Sequence, residues 1–132
     1  MENTENPFEG FEVISTYSRA QALEDGVLVD ISQLAREAGF PWPMAVTRAV
    51  WEVLDPSDEL KEEGQSWTGR GWDMLMVLRM SLGRSKDGRE VPFAPLFVRR
   101  PGGVPESVAL RAVSGPGDAG EPVLTVMLPN ED

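Results

Sequence analysis

The sequence contains no cysteine and no histidine among its 132 residues. The missing cysteine excludes disulfides, thiolate metal sites and a thiol nucleophile, and it fits a reducing cytoplasm. The missing histidine excludes an imidazole base, a Ser–His or Cys–His pair and imidazole ligands for zinc. Any catalysis would have to use Asp, Glu, Lys, Arg, Tyr, Ser or Thr. The composition therefore favours a protein with no catalytic residues, no cofactor and no metal.

Long apolar runs are also missing. No stretch of about 18 apolar residues is present, so the sequence provides no membrane span. The first ten residues, MENTENPFEG, are acidic and polar, the opposite of a signal peptide. We therefore expect a cytoplasmic protein in which residues 1–10 form a flexible acidic tail and residues 11–132 form a single domain.

Basic residues are scarce in the first half of the chain. Residues 1–65 hold fourteen acidic and four basic residues, whereas residues 66–132 hold eight of each, so the net charge of −10 lies in the first half. Nucleic-acid phosphates would be repelled there, and direct nucleic-acid binding is not expected. A host protein with a basic surface would be attracted. The simpler alternative is acidity that only keeps a small protein soluble.

The first third of the chain predicts alternating strands and helices. The predicted elements are a strand at 11–15, a helix at 19–23, a strand at 27–31 and a helix at 33–38. Ser18 and Ser32 are the predicted N-caps, because a hydroxyl can accept a hydrogen bond from a first-turn N–H. Gly26 is placed to end the first helix with a positive φ.

Three further helices are predicted between residues 44 and 82: Met44–Leu54, Asp58–Glu63 and a main helix within Trp67–Leu82. Pro43 suits the first turn of the first of them. Gly69 and Gly71 weaken a helix, so the main helix is predicted to begin near Gly71. Its apolar residues lie on nearly all sides, which is typical of a buried helix.

The last third predicts strands at 91–99, 107–114 and 123–128. Pro92 and Pro95 cannot donate to a ladder, so the first of these is an edge or bulged strand. The Gly- and Pro-rich segments 101–103 and 115–120 are typical of hairpin connections. The order of elements predicts a single α+β domain, with a mostly antiparallel sheet of about five strands and helices packed on one face.

The densest negative segment is Asp58–Glu63, with four acids and one base. Its default interpretation is a solvated helix face. It is also the first candidate for contact with a basic partner. The predicted partner-binding residues are the acids of this segment and the two that precede Gly26: Glu24, Asp25, Asp58, Glu59, Glu62 and Glu63.

A basic cluster offers an alternative function, that of a nucleic-acid-binding accessory protein. The cluster consists of Arg84, Lys86, Arg89, Arg99 and Arg100. Phe93 and Phe97 would be its stacking surfaces. However, these two residues share strand parity, which favours a row that faces the core, and Asp87 and Glu90 reduce the positive charge.

A small enzyme with a carboxylate-based site is a further alternative. It would need a concave pocket with two convergent carboxylates or a Tyr17–Arg19 pair. Asp25, Asp30 and Glu37 offer oxygen ligands for a metal, although their spacing matches no calcium loop. Residues 115–120 resemble a phosphate loop only superficially, since neither a helix N-terminus nor a lysine follows them.

Five segments carry a resemblance to a known family: FEVISTYSRAQALEDGVLVDIS, AREAGF, PMAVTRAVW, GRGWDMLMVL and LRAVSGPGDAGEPVLTVMLPNED. From about Phe11 onward the chain resembles a family of uncharacterised bacterial proteins carried by phages, plasmids and other mobile elements. The resemblance implies a small protein that adjusts host machinery in the bacterial cell. By analogy with small, acidic inhibitors of CRISPR-type defence, it implies an anti-CRISPR-like inhibitor that binds a host macromolecule.

Overall fold

A computed structural model describes residues 17–84 and 88–131. Its elements, in order, are α1 (Arg19–Glu24), β1 (Leu28–Asp30), α2 (Ser32–Glu37), β2 (Met44–Thr47), α3 (Arg48–Leu54), α4 (Asp58–Glu62), α5 (Trp67–Ser81), a 3-10 turn (Leu82–Arg84), β3 (Glu90–Phe93), β4 (Leu96–Val98), β5 (Pro105–Ser107), β6 (Leu110–Pro116) and β7 (Pro122–Met127). The tail predicted at 1–10 and the strand predicted at 11–15 lie outside the described residues. None of the helices in the described part is long and apolar enough to cross a membrane.

Five of these strands form a mixed sheet in the order β1-β2-β7-β6-β3. The pairing of β2 with β7 is parallel, with Met44 opposite Leu124. The other three pairings within this sheet are antiparallel. Strands β4 and β5 form a separate two-stranded ribbon. The predicted α+β class with a mostly antiparallel sheet is confirmed.

The hydrophobic core lies between one face of this sheet and helices α2, α3 and α5. Val46 of β2 and Val126 of β7 are opposite each other and completely buried. They share the core with Val50 of α3 and with Leu75 and Leu78 of α5. Each such side chain contributes about 1.5–3 kcal/mol through burial. This packing fixes α5 across the sheet and leaves its N-terminal end beside the ribbon.

The prediction of a helix over Met44–Leu54 is wrong in its first four residues, which form β2. This strand lies between β1 and β7, and Met44, Ala45 and Val46 are all buried. A strand covered on both faces shows a continuous apolar run instead of alternation, which is why the pattern was ambiguous. Pro43 therefore precedes a strand, and it does not begin a helix.

The two serine caps have different outcomes. Ser18 caps α1 as predicted, since its Oγ accepts a hydrogen bond from the N–H of Gln21 at 3.0 Å. The prediction for Ser32 is wrong, because Ile31 occupies the N-cap position of α2. The Oγ of Ser32 instead accepts from the N–H of Met44 at 3.0 Å. This hydroxyl ties α2 to β2.

Helix α5 begins at Trp67, four residues before the predicted start at Gly71. Ser66 sets this start, because its Oγ accepts from the N–H of Gly69 at 3.0 Å. A Cβ on Gly71 would lie 2.8 Å from Cδ2 of Leu34. The glycine that indicated a helix boundary therefore allows α2 and α5 to pack closely.

The outer face of α5 is not buried, so the prediction of a helix buried nearly all round is wrong there. Trp72 is 39% exposed and Met80 is 76% exposed. Met74, Leu75 and Leu78 point into the core. The outer surface of the helix therefore combines exposed apolar residues with charged ones, Asp73 and Arg79.

The strands predicted at 91–99 and 107–114 are each divided between the main sheet and the ribbon. The break lies where the carbonyl of Pro95 accepts from the N–H of Val108 at 3.0 Å. Strand β3 is at the edge of the main sheet, which confirms the edge role predicted from Pro92. The segment 101–103 lies in the connection of a hairpin, as predicted. The second predicted connection, 115–120, is correct only from residue 117, because Gly115 and Pro116 still pair within β6.

Candidate functional site

A groove of about 610 Å³ runs between the N-terminal half of α5 and the ribbon. Trp72 and Asp73 line it from the helix, and Leu96 and Pro105 line it from the ribbon. We call this feature the ribbon groove. It exists because the long hairpin of β3–β4 and β5–β6 bends at Pro95 and leaves the main sheet.

Large apolar side chains are exposed on both walls of the ribbon groove. Leu96 on β4 is 58% exposed and faces the groove with Trp72 of α5. Val104, which directly precedes Pro105 of the groove wall, is 74% exposed. Single exposed apolar residues need no explanation, but a group of them with polar residues around it is typical of an interaction site.

Arg70 forms the inner wall of the groove and links three segments of the chain. Its Nη1 donates to the carbonyl of Val53 and its Nη2 to that of Val98, both at 2.6 Å. Its Nε donates to Oε1 of Gln65 at 3.0 Å. The guanidinium carbon also lies 5.7 Å from the ring centroid of Phe97. The side chain therefore holds α3, α5 and the ribbon in a fixed arrangement.

The position of Arg70 lowers its pKa and occupies its hydrogen-bond donors. Burial lowers its pKa from the usual value, and the positive charge of Arg99 lowers it further, against the opposing effect of Asp55. Its carbonyl and amide acceptors are neutral, so no carboxylate among the described residues bonds to it. Arg70 was missed in the sequence because it lay in a predicted loop. A lone arginine between Gly69 and Gly71 was the available signal.

The acidic segment predicted as a partner site lies next to the ribbon groove. It forms α4, capped by Ser57, with Leu60 buried on its inner side. Its four acidic residues, Asp58, Glu59, Glu62 and Glu63, are all exposed. Gly64 and Gln65, which follow directly, are part of the groove wall. The acidic segment therefore directly precedes, along the chain, residues that line the ribbon groove.

The other two predicted partner-binding residues lie elsewhere. Glu24 ends α1, and Asp25 is its C-cap and accepts a hydrogen bond from the hydroxyl of Tyr17 at 2.5 Å. They are close to the start of α3, where the N–H of Arg48 donates to the carbonyl of Val27. Helix α4 follows the other end of α3, about 10 Å away along its axis. The six predicted residues are thus divided into two groups.

The basic cluster is also divided. Arg89 lies near Leu82, at the C-terminal end of α5. The positive charge of Arg99 lowers the pKa of Arg70, so Arg99 lies near the N-terminal end of the same helix. These ends are about 20 Å apart, because a helix rises about 1.5 Å per residue. Lys86 lies outside the described residues. The described arginines therefore do not form one binding surface.

The aromatic residues proposed as stacking surfaces face the core. Phe93 is 7% exposed and Phe97 is 3% exposed. Their shared strand parity correctly indicated a core-facing row. A base could not stack on either ring without opening the core, so the direct nucleic-acid alternative loses its aromatic component.

A smaller pocket of about 230 Å³ lies at the opposite face of the sheet. Arg19, Asp30, Asp118 and Glu121 line it. The Nη1 of Arg19 donates to Oγ1 of Thr125 at 2.8 Å. The side chain of Thr125 points away from the core, because its neighbour Val126 points into it. We call this feature the Arg19 pocket. Its three carboxylates make it the candidate site for the carboxylate-based enzyme alternative.

The carboxylates of the Arg19 pocket already have internal partners. Asp118 accepts from the backbone N–H of Arg19, Asp30 accepts from Ser32, and Glu121 accepts from the N–H of Ala119. The backbone hydrogen bonds lower the pKa of Asp118, so it is ionised at neutral pH and unsuited to act as a general acid. Burial lowers the pKa of Arg19, against the effect of these acids. The pocket is a structural network of charges.

The remaining chemical candidates do not converge. Tyr17 bonds to Asp25, whereas Arg19 bonds to β7, so the two do not act as a pair. Asp25 is the C-cap of α1, Asp30 is the last residue of β1, and Glu37 is the last residue of α2. Within residues 17–84 and 88–131, no group of three acidic side chains is arranged to hold a metal ion.

Comparison with known families gives a match along almost the entire chain. The model of a family of unknown function (DUF6573) matches residues 4–132. No curated protein and no solved structure gives a significant match. The matched range includes α4, both walls of the ribbon groove and the Arg19 pocket. The chain is a member of DUF6573, a family of unknown function.

Proposed function

We propose that this protein acts by binding another protein through the ribbon groove and the adjoining α4, without a chemical step. The observation that carries the proposal is the exposure of Trp72 and Leu96 on opposite walls of one groove. An apolar centre with a charged rim is the usual composition of a protein interface, and tryptophan is enriched among its energetically dominant residues.

The charge of α4 defines the expected partner. Three exposed carboxylates in α4 and a fourth at its C-cap, Glu63, form the densest negative segment of a chain with net charge −10. Exposed charges at the rim of an interface accelerate encounter with an oppositely charged partner more than they tighten the complex. The partner is therefore expected to present a basic surface, such as one that normally holds nucleic acid.

The biological setting that we propose follows from the resemblance to proteins of phages and other mobile elements. A host defence complex has the required basic surface, and a small acidic protein that covers it would act as an anti-CRISPR-like inhibitor in the bacterial cytoplasm. Expression in cells with an active CRISPR system should then restore plaques of a targeted phage. Unchanged interference in several CRISPR types would contradict the defence setting, while leaving the binding proposal open to its own test.

The binding proposal is tested by affinity purification from the host, followed by kinetics with the captured protein. Glu62→Lys combined with Glu63→Lys should slow association and flatten its dependence on salt. The matched control is Glu37→Lys with Glu52→Lys, on α2 and α3. Each substitution replaces a negative charge with a positive one and raises the net charge by two, so both double variants move the net charge from −10 to −6. Equal effects of the two variants would mean that net charge matters and that α4 is not the contact.

A further inference from the structure

We propose that the ribbon groove binds an extended segment of the partner in which a large apolar side chain is next to a lysine or arginine. This inference rests on the proposed function and specifies what the groove recognises. The walls of the groove, a helix and a two-stranded ribbon, are separated widely enough to enclose about 610 Å³. Strands of three residues, such as β4 and β5, are about 10 Å long, so the site suits a short segment.

The apolar requirement comes from the two walls. Trp72 and Leu96 face the same space from α5 and β4, and each leaves more than a third of its surface in water. An apolar side chain between them would remove both surfaces from water at once. Such burial stabilises a complex by roughly 25 cal/mol for each Å² that is covered. Polar or charged side chains at this point would leave that gain unrealised.

The basic requirement comes from the accessible charges of the helical wall. Asp73 follows Trp72, is exposed, and forms no ion pair with any described residue. Glu62 and Glu63 are exposed and directly precede Gly64, which lines the groove. A lysine or arginine beside Asp73 would be close to a carboxylate and to the indole of Trp72, which is a favourable combination for a cation.

Arg70 does not reverse this preference. Its three nitrogen atoms donate to Val53, Val98 and Gln65 within the fold, and the side chain is buried. An anionic occupant would have to compete with these internal acceptors. Of the two charged side chains that line the groove, Arg70 is buried and Asp73 is exposed. We therefore expect a cationic segment in preference to an acidic one.

The test uses three synthetic peptides that differ at one position beside a phenylalanine anchor: lysine, glutamine or glutamate. The protein contains four tryptophans, whose indole N–H signals can be followed by NMR, with Trp72 assigned through Trp72→Phe. The lysine peptide should shift the Trp72 signal and bind at least about fivefold more tightly than the glutamate peptide. Asp73→Lys should remove this preference.

Trp42 is the internal control, because it is 40% exposed, almost the same as Trp72, and lines a different pocket. An equal shift of both indoles would mean nonspecific adsorption and would overturn the inference. So would tighter binding of the glutamate peptide, or no shift with any peptide. If the α4 charge reversals still slow association with the captured partner, these results refute the peptide preference alone and the proposed function stands.

Discussion

The carboxylate of Asp118 caps helix α1 from a position 99 residues later in the chain. Its Oδ1 accepts from the N–H of Arg19 at 2.8 Å, and its Oδ2 accepts from the N–H of Ala20 at 3.0 Å. Ser18 accepts from the N–H of Gln21, so the first three N–H groups of α1 all have side-chain acceptors. A helix of six residues has few internal hydrogen bonds, and its position depends strongly on such caps.

This cap should make stability depend on pH through Asp118. The two backbone hydrogen bonds lower its pKa in the folded state. A lowered folded-state pKa stabilises the protein above the unfolded value of about 4, and this stabilisation is lost as the pH falls through the folded value. Asp118→Asn should therefore lower Tm at neutral pH, and the difference from the wild type should shrink in acid.

Thermal unfolding followed by circular dichroism, at pH values on both sides of the carboxylate range, measures this effect. Asp73→Asn is the control, because Asp73 is exposed and accepts no hydrogen bond from the described residues. A difference in Tm between wild type and Asp118→Asn that stays constant with pH would show that the charge of Asp118 does not cap α1.

The single tyrosine of the chain allows a second titration. The hydroxyl of Tyr17 donates to Oδ2 of Asp25, and this hydrogen bond, followed by burial and the negative charge of Asp25, raises its pKa above the usual value. Ultraviolet absorbance of the tyrosinate should show this raised pKa directly. Asp25→Asn should move it back toward about 10. Tyr17→Phe supplies the tryptophan background, and an unchanged midpoint in Asp25→Asn would exclude the contact in solution.

Local signals were enough to predict one of the two caps of α1. Ser18 lies directly before its helix, so its role could be inferred from the sequence. Asp118 lies in the hairpin loop that was predicted at 115–120, but its contact with α1 requires the sheet to be assembled. The strand β2 was missed for the same reason, since tertiary burial decided between helix and strand for Met44–Thr47.

The candidate site also has one part that local sequence could indicate and one part that depends on the assembled fold. The acidic residues of segment 58–63 could be proposed as a partner site because charge density is a property of local sequence, and this assignment stays a prediction. The ribbon groove could not be predicted, because Trp72 and Leu96 come together only after the long hairpin bends over α5. Arg70 was assigned to a loop because Gly69 and Gly71 were interpreted as helix breakers, whereas Gly71 is required for close packing against Leu34.

The contacts of Arg70 lead to a third prediction. Arg70→Met keeps much of the apolar volume but leaves the carbonyls of Val53 and Val98 without their donor. A buried acceptor without a partner costs about 1–3 kcal/mol, so we expect a loss of about 3 kcal/mol in the free energy of unfolding. Urea denaturation measures it, with Arg100→Met on the exposed ribbon as the control.

The same variant should loosen the ribbon before the rest of the fold. Hydrogen exchange of the amides in β4 and β5 should accelerate more than exchange in β6 and β7, because Arg70 connects the ribbon to α3 and α5. Uniform acceleration over all strands would mean that Arg70 supports global stability and does not hold the ribbon in place.

The close approach of Gly71 to Leu34 gives a fourth prediction, in which two effects of opposite sign compete. Gly71→Ala removes the flexibility of a mid-helix glycine, which is worth up to about 1 kcal/mol of stability. Its new Cβ would lie 2.8 Å from Cδ2 of Leu34, so that side chain must move out of its packing position. In the wild-type background the gain should be cancelled or reversed.

In a Leu34→Ala background no such contact remains, and Gly71→Ala should stabilise by the full amount. A double-mutant cycle measured by urea denaturation isolates this coupling. Equal effects of Gly71→Ala in both backgrounds would show that α2 and α5 do not require a glycine at their contact.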